Sequence, residues 1–337
     1  MVIDNSFYMQ LAIDEAWKYH ILTYPNPAVG CCVVGENGEI LAVEAHKKAG
    51  GPHAEVEALK SAYVKLSGDK KILDIFSSED IHNYLKQNHN KLFENVKVYT
   101  TLEPCSHRGK TPSCADLLSF LGVKKVYIGS KDTNPVASCG EDMLLKAGVE
   151  TQSGILQREC ENLIISFGSW SKGHFVFFKW AQTFNAKVDG GVISSKQSRT
   201  VVHKMRGVCD LLVIGGNTVR IDRPTLDARL AEAKAPDILI LSKQKEFDLS
   251  IPLFGVENRN VFIDDSFDIL KKYNNIMIEG GEAMFELSKK FVDIYLCFIA
   301  PKFGGEVGFE KTDDKFEILN IQKESQDIMV WMKKEVI

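Results

Sequence analysis

The feature that most constrains this chain is an alternation of short β-rich runs with helical stretches, and it occurs in both halves. The first half holds VGCCVVG (29–35), EILAVEAH (39–46), KVYTTLEP (97–104) and KKVYIGS (124–130), with a helix predicted from about His53 to Leu66 between the second and third. The second half repeats the plan with FVFFKWAQ (175–182), DLLVIGG (210–216), DILILS (237–242), NVFID (260–264), NIMIEGG (275–281) and DIYLCFIA (293–300). Short apolar runs that alternate with helices predict α/β layers around mostly central sheets. At about 150 residues per domain, 337 residues make two of them. The expected boundaries are a first domain over 1–147, a connecting helix and linker over 148–173, and a second domain over 174–337. An opening helix is expected to be capped by Asn5 or Ser6. The polar stretch 67–95 reads as a surface excursion with one helix, His82 and His89 lying in solvent.

Composition excludes several classes of function. A net charge of -4 gives no footprint for general binding to nucleic acid or to a membrane surface. No run approaches the ~18 apolar residues of a membrane span. The first residues lack the basic start and unbroken apolar core of a signal peptide, so a cytoplasmic protein is expected. In that compartment the eight cysteines should be thiols that are buried or bind metal.

Two stretches carry the chemistry. In GPHAEVEAL (51–59) a histidine and a glutamate, His53 and Glu55, share the first turn of a helix. In LEPCSHRGKTPSC (102–114) Cys105 and Cys114 flank a proline-containing loop, Cys114 where a helix should begin. A catalytic zinc takes three ligands from Cys sulfur and His nitrogen and keeps a position for water, whose pKa it lowers. His53, Cys105 and Cys114 supply three, and Glu55 is placed to move the proton. The zinc-deaminase pattern H-x-E followed by P-C-x-x-C fits His53, Glu55, Pro104 and Cys105, but eight residues separate the two cysteines instead of two. A structural zinc module, closed by His107 as fourth ligand, is the non-catalytic alternative.

With both stretches in view, the chain resembles, nearly end to end, the bifunctional riboflavin-biosynthesis family, a pyrimidine deaminase fused to a 5-amino-6-(5-phosphoribosylamino)uracil reductase. On the deaminase side the resemblance rests on PNPAVG (25–30), His46 with AGGPHAE (49–55), TLEPCSHRGKTPSC (101–114) and DTNP (132–135). The long Cys-to-Cys spacing is itself characteristic of that family. On the reductase side it rests on FFKWAQTF (177–184), ISS (193–195), Arg199, His203, Arg206, VIGGNTVRIDRPTL (213–226), Arg229 and IEGGEAMF (278–285).

The resemblance implies a cytidine-deaminase-like three-layer domain followed by a dihydrofolate-reductase-like domain, with zinc and NADPH as cofactors. His53, Cys105 and Cys114 would bind zinc and Glu55 would shuttle the proton. Asn26 would orient the pyrimidine, His46 and His107 would line the phosphoribosyl side, and Arg108 and Lys110 would stand near the phosphate. In the second domain Gly215, Gly216, Thr218, Gly280, Gly281 and Ser194 would bind NADPH, and Lys179 would face the ribose and nicotinamide region. Arg206 and Arg229 would take the substrate phosphate, Asp222 and Glu279 would position hydroxyls, and Leu226 would complete the substrate site. The implied partners are a small phosphorylated pyrimidine and further copies of the chain, with no nucleic acid and no membrane.

Several positions depart from the family pattern. Asn185 stands where an aspartate is usual, and Arg223 stands before Pro224 where an acidic residue is common. The 67–95 excursion is long, and Cys139 lies near a place usually kept small. These departures leave open a deaminase whose reductase-like half does not catalyse. A nucleoside or tRNA deaminase is the other rival, against which the reductase-like half and the lack of a basic aromatic patch both argue.

Overall fold

The computed structural model describes residues 4–107, 109, 111–132 and 139–335, and the chain divides into two compact units, Met1–Phe167 and Gly168–Ile337. In chain order the first unit contains α1 (Asn5–Trp17), β1 (Gly30–Val34), β2 (Ile40–Ala45), α2 (Ala54–Ser67), α3 (Ser78–Asn88) and β3 (Lys97–Leu102). It continues with α4 (Cys114–Leu121), β4 (Lys125–Ser130), α5 (Gly140–Lys146), β5 (Glu150–Ser153) and α6 (Gln157–Leu163), and the division falls within α7 (Ile165–Lys172).

The five strands form one sheet in the order β2-β1-β3-β4-β5. β1 is antiparallel to β2 and β3, while β3, β4 and β5 run parallel. Side chains alternate across the sheet. Cys31, Val33, Val98, Val126 and Ile128 are fully buried in the core that holds the apolar faces of α2 and α4. Tyr99 and Tyr127 belong to the other face, where they stack at 4.4 Å and meet Tyr8 of α1. α1 lies so close to β1 that a Cβ on Gly30 would sit 1.9 Å from the Ala12 carbonyl oxygen, so only glycine fits.

Several expectations for this unit need correction. The cap of α1 is Asp4, whose carboxylate accepts from the Phe7 amide. Residues 67–95 do contain one further α-helix, α3, with a 3-10 turn at Lys71–Asp74 before it, but they are not a polar excursion: Ile72, Ile81, Leu85 and Phe93 are fully buried in the core of α2 and α4. His82, expected in solvent, is 2% exposed because it shares the inward face of α3 with Ile81 and Leu85, a spacing of one helical turn. His89 is half-buried. Within the stretch expected as connecting helix and linker, residues 150–153 form β5 and extend the sheet beside β4.

The second unit contains β6 (Phe175–Thr183), α8 (Lys196–Val208), β7 (Leu211–Gly215), α9 (Gly216–Asp222), β8 (Asp237–Leu241), β9 (Val261–Asp264) and β10 (Asn275–Glu279). α10 (Glu282–Ser288), β11 (Ile294–Ala300), β12 (Phe316–Glu324) and β13 (Asp327–Lys334) complete it. Its eight strands run in the order β12-β13-β11-β6-β10-β7-β8-β9. The six from β11 to β9 are parallel, and β13 and β12 add an antiparallel hairpin at one edge. The parallel strands are the apolar runs picked out in the sequence; β7, β8, β10 and β11 are buried along most of their length, as strands covered on both faces must be, while the edge strand β9 is only partly buried. The parallel arrangement aligns their carboxyl ends, bringing Lys179 of β6 level with Glu279 of β10.

Candidate active site

In the first unit the loop after β3 returns to the start of α4 and is held there by its own backbone. The Ser113 hydroxyl donates to the Cys105 carbonyl at 2.8 Å, the Ala115 amide donates to the same carbonyl at 3.2 Å, and the Cys114 amide donates to Cys105 Sγ at 3.4 Å. His53 caps α2 in extended conformation without a side-chain capping bond, and its ring turns towards the two sulfurs. Nδ1 lies 3.4 Å from Cys114 Sγ and 3.7 Å from Cys105 Sγ. These three side chains form the one metal-compatible group of at least three His, Cys, Asp or Glu residues among the described residues. His107 lies outside that group.

Geometry tests whether zinc fits. Bonds of about 2.3 Å to sulfur and 2.0–2.1 Å to nitrogen, at tetrahedral angles, place N and S about 3.6 Å apart. The two observed N–S distances bracket that value. The ring's other nitrogen, Nε2, is 3.2 Å from Thr111 Oγ1. With Nδ1 as the ligand atom Nε2 carries the proton and donates to that hydroxyl, the outer contact metal-bound histidines usually have. The thiols are suited to a cation too. The hydrogen bond from Cys114 pulls the Cys105 thiol down to about 4, helped by His53, while that same bond pushes Cys114 up. A divalent cation lets both ionise.

Glu55 is 4% exposed, and burial raises its pKa above the ordinary carboxylate range. It faces a cavity of about 250 Å³ together with His53, Cys105, Asn26, His46 and His107. Asn26 and His46 are joined: Asn26 Nδ2 lies 3.0 Å from His46 Nε2, and His46 Nδ1 lies 2.9 Å from the Pro52 carbonyl. A carbonyl can only accept, so Nδ1 carries the proton and Nε2 accepts from Asn26. Burial holds this imidazole neutral, down at about 4. Arg108, Lys110 and 133–135 of DTNP lie outside the described residues.

Among the cavity residues to which sequence reading gave no role, the polar Glu103, Thr111 and Asp132 and the aromatic Phe167 stand out. The first three fall inside quoted motifs, which was the available signal; Phe167 comes from the connecting segment, where nothing marked it. Glu103 accepts from the Asp132 amide at 3.2 Å and the Glu141 amide at 3.0 Å. The small residue required beside Cys139 is Gly140, whose Cβ would sit 1.7 Å from the Pro104 carbonyl oxygen.

In the second unit the structure gathers Lys179, Arg206 and Glu279 and leaves other expected residues apart. Arg206 grips Glu279 through Nε at 2.9 Å and Nη2 at 2.8 and 3.1 Å, and Lys179 Nζ stands 3.7 Å from the same carboxylate. The guanidinium fork expected on a phosphate is therefore engaged by Glu279. Burial lowers the Lys179 pKa, with Glu279 opposing and Arg206 assisting. Arg229 is exposed and paired with Asp227 at 2.9 Å, Asp222 is exposed at the end of α9, and Leu226 is buried with φ 54°. Ser194 precedes the cap of α8. Thr218 lies in α9, which Gly215 caps and Gly216 opens. A Cβ on Gly216 would reach Ser242 at 2.7 Å and one on Gly280 would reach Met284 at 2.5 Å, so both are needed for packing. Gly215 and Gly281 would meet only ordinary contacts.

The two reductase-side departures have local explanations. Asn185 Oδ1 accepts from the Thr183 hydroxyl at 2.8 Å and from the Gly304 amide at 3.1 Å, an acceptor role a carboxylate oxygen fills equally well. Arg223 turns away to Asp248 at 2.7 Å and the Ser250 hydroxyl at 2.7 Å, which neutralises its charge at the surface.

Comparison with known proteins agrees with this architecture. Residues 3–130 match the family model for the cytidine and deoxycytidylate deaminase zinc-binding region, and residues 175–330 match that for the RibD C-terminal domain. The chain is 30% identical to the riboflavin biosynthesis protein RibD of Aquifex aeolicus, over 97% of its own length and 98% of that protein's. This chain belongs to the RibD family. It is also 32% identical to the RibD of Actinobacillus pleuropneumoniae over 88% of its length and 84% of the relative's. The crystal structure of a diaminohydroxyphosphoribosylaminopyrimidine deaminase/5-amino-6-(5-phosphoribosylamino)uracil reductase from Thermotoga maritima is 28% identical, with a TM-score of 0.65 and 98% of each chain covered. As a RibD, the chain is a zinc-dependent deaminase and a nicotinamide-dependent reductase of riboflavin biosynthesis, acting on a small-molecule substrate. Both fold expectations stand, and the deaminase-only alternative gains no support.

Proposed function

We propose that His53 Nδ1, Cys105 Sγ and Cys114 Sγ hold the zinc of the deaminase and that Glu55 moves the proton beside it. The single observation that carries this reading is the N–S spacing of the group, close to a tetrahedral edge, with a buried carboxylate against it. Bound zinc supplies an acidified water for attack on 2,5-diamino-6-(5-phosphoribosylamino)pyrimidin-4(3H)-one. Glu55 accepts the proton released as the C–O bond forms and delivers it to the nitrogen that leaves as ammonia. Asn26, its amide nitrogen committed to His46, presents Oδ1 to the pyrimidine ring. His107 lines the sugar side, and His46 serves by holding Asn26.

The ribosyl group of the deaminated product is then reduced in the second unit. There Glu279 is held by Arg206 and Lys179 to orient sugar hydroxyls, with Leu226, Asp222 and Arg229 around the phosphorylated side chain. Gly215, Gly281, Thr218 and Ser194 line the cofactor. NADPH is the proposed donor, supported by the match of residues 175–330 to the RibD C-terminal domain. The exposed Phe184 and Phe303, in ring contact at 5.8 Å, support a homo-oligomer, and the phosphorylated substrate supports a cytoplasmic location.

Metal analysis of the purified protein together with an ammonia-release assay tests the deaminase reading. One zinc per chain, lost with activity in Cys105→Ala and in Cys114→Ala, is the expected result. Full zinc content in both variants would overturn the ligand set.

A further inference from the structure

After α9 the chain of the second unit makes an awkward passage. Arg223 and Leu226 both take left-handed conformations, φ 45° and φ 54°. Side-chain-bearing residues hold such conformations only where the surroundings enforce them, and they cluster at functional sites. At the Leu226 end of this loop the backbone is held by the guanidinium of Arg259, from the turn before β9. Its Nη1 donates to the Leu226 carbonyl at 2.7 Å and its Nη2 to the Thr225 carbonyl at 2.9 Å. Nη2 also donates to the Leu253 carbonyl, and the Leu253 amide donates to the Pro224 carbonyl at 3.0 Å, so the loop is stitched to the 252–255 turn from both sides.

The stitched loop connects directly with the charged cluster. Next to Leu226 is Asp227, whose carbonyl accepts from Arg206 Nη1 at 3.4 Å while its carboxylate holds Arg229 at 2.9 Å and stands 3.8 Å from His203 Nδ1. Arg206 in turn grips Glu279. A run of contacts therefore leads from Arg259 through the loop to the Arg206–Glu279–Lys179 group, while the guanidinium itself faces carbonyls. A lysine has three donors on a single nitrogen but no planar fork, so it cannot reproduce the separate Nη1 and Nη2 contacts.

We propose that Arg259 is a positioning residue of the reductase site: by holding the Thr225 and Leu226 carbonyls it fixes the loop that presents Leu226, Asp227 and Arg229 to the phosphorylated sugar. The inference rests on the substrate-site reading given above for Leu226 and Arg229. It assigns Arg259 an effect on substrate affinity and none on the nicotinamide cofactor, because the carbonyls it holds belong to Thr225, Leu226 and Leu253, none of them a proposed cofactor contact.

The test compares Arg259→Met, Arg259→Lys, Arg259→Ala and Arg229→Ala in the full-length enzyme, with deaminated intermediate and NADPH varied separately. In Arg259→Met the KM for the intermediate should rise about tenfold or more while that for NADPH stays within about twofold, a split worth about 1.4 kcal/mol or more. Arg259→Lys should fall between, and added guanidinium ion should restore part of the affinity in Arg259→Ala. An unchanged KM for the intermediate in a folded Arg259→Met overturns the proposal. So does a parallel rise of both KM values with a lowered melting temperature, since Arg259 would then merely hold the domain together. Arg229→Ala separates the two readings: if it leaves the KM for the intermediate unchanged, the Arg229 assignment fails, while the Arg259→Met result still decides the positioning role.

Discussion

Replacing Glu279 by glutamine keeps the shape of the buried cluster and removes its only negative charge. The carboxylate meets Arg206 through two nitrogens at 2.8–3.1 Å and Lys179 at 3.7 Å, and the side chains are only 12–13% exposed, so solvent screening is slight. Breaking one partner of a buried ion pair costs about 3–5 kcal/mol because the opposite charge is left uncompensated. Here two cations are left, but Lys179, already pushed down by burial, can shed its proton once the Glu279 charge that supports it is gone. The lower end, about 3 kcal/mol, is therefore expected. At roughly 2–4 °C per kcal/mol for a domain of this size, the transition of the second unit should fall by roughly 6–12 °C. Differential scanning calorimetry reads this directly. The pH dependence has a definite sign: Arg206 and Lys179 hold the Glu279 pKa below the ordinary carboxylate value against the opposing effect of burial. Its contribution is complete above the unfolded-state pKa and is lost as pH falls through the folded-state value. Wild type and Glu279→Gln should thus differ most at neutral pH and converge in acid. A loss below about 1 kcal/mol at neutral pH, the range of exposed pairs, would refute the reasoning.

Thr111→Val removes the acceptor from His53 Nε2 and should weaken zinc binding by about 10–100-fold in a chelator competition; affinity within twofold of wild type would contradict the outer contact. Asn185→Asp should leave reductase turnover within a few-fold, while Asn185→Ala, which strips the acceptor from the exposed Gly304 amide, should cost no more than about 0.5–1.5 kcal/mol in denaturant unfolding. Arg223→Ala breaks an exposed pair and should change stability by less than about 1 kcal/mol, with reductase KM values unchanged.

The sequence made the strands buried on both faces legible, because a run such as DLLVIGG has little use outside a sheet interior. It also exposed the zinc group, since few other chemistries need His53, Glu55, Cys105 and Cys114 in that order. What it hid were elements at sheet edges and residues acting through backbone. The β12 strand, FEILNIQKE, is only half-buried, so its pattern reads as surface; β5, ETQS, is polar for the same reason. The burial of His82 depends on which face of α3 turns inward, a matter decided by Ile81 and Leu85. Arg259 and Glu103 bind carbonyl and amide groups that every residue carries, so no motif announces them.

The central claim is that His53, Cys105 and Cys114 hold a zinc on which Glu55 alone moves protons. Glu55→Gln tests it most directly, with zinc content and ammonia release measured on one preparation. The account predicts one zinc per chain, as in wild type, and a loss of deamination of about 10²–10⁴-fold, with NADPH-dependent reduction of supplied intermediate unchanged. Zinc lost along with Glu55, or deamination persisting at wild-type rate with zinc in place, would contradict it.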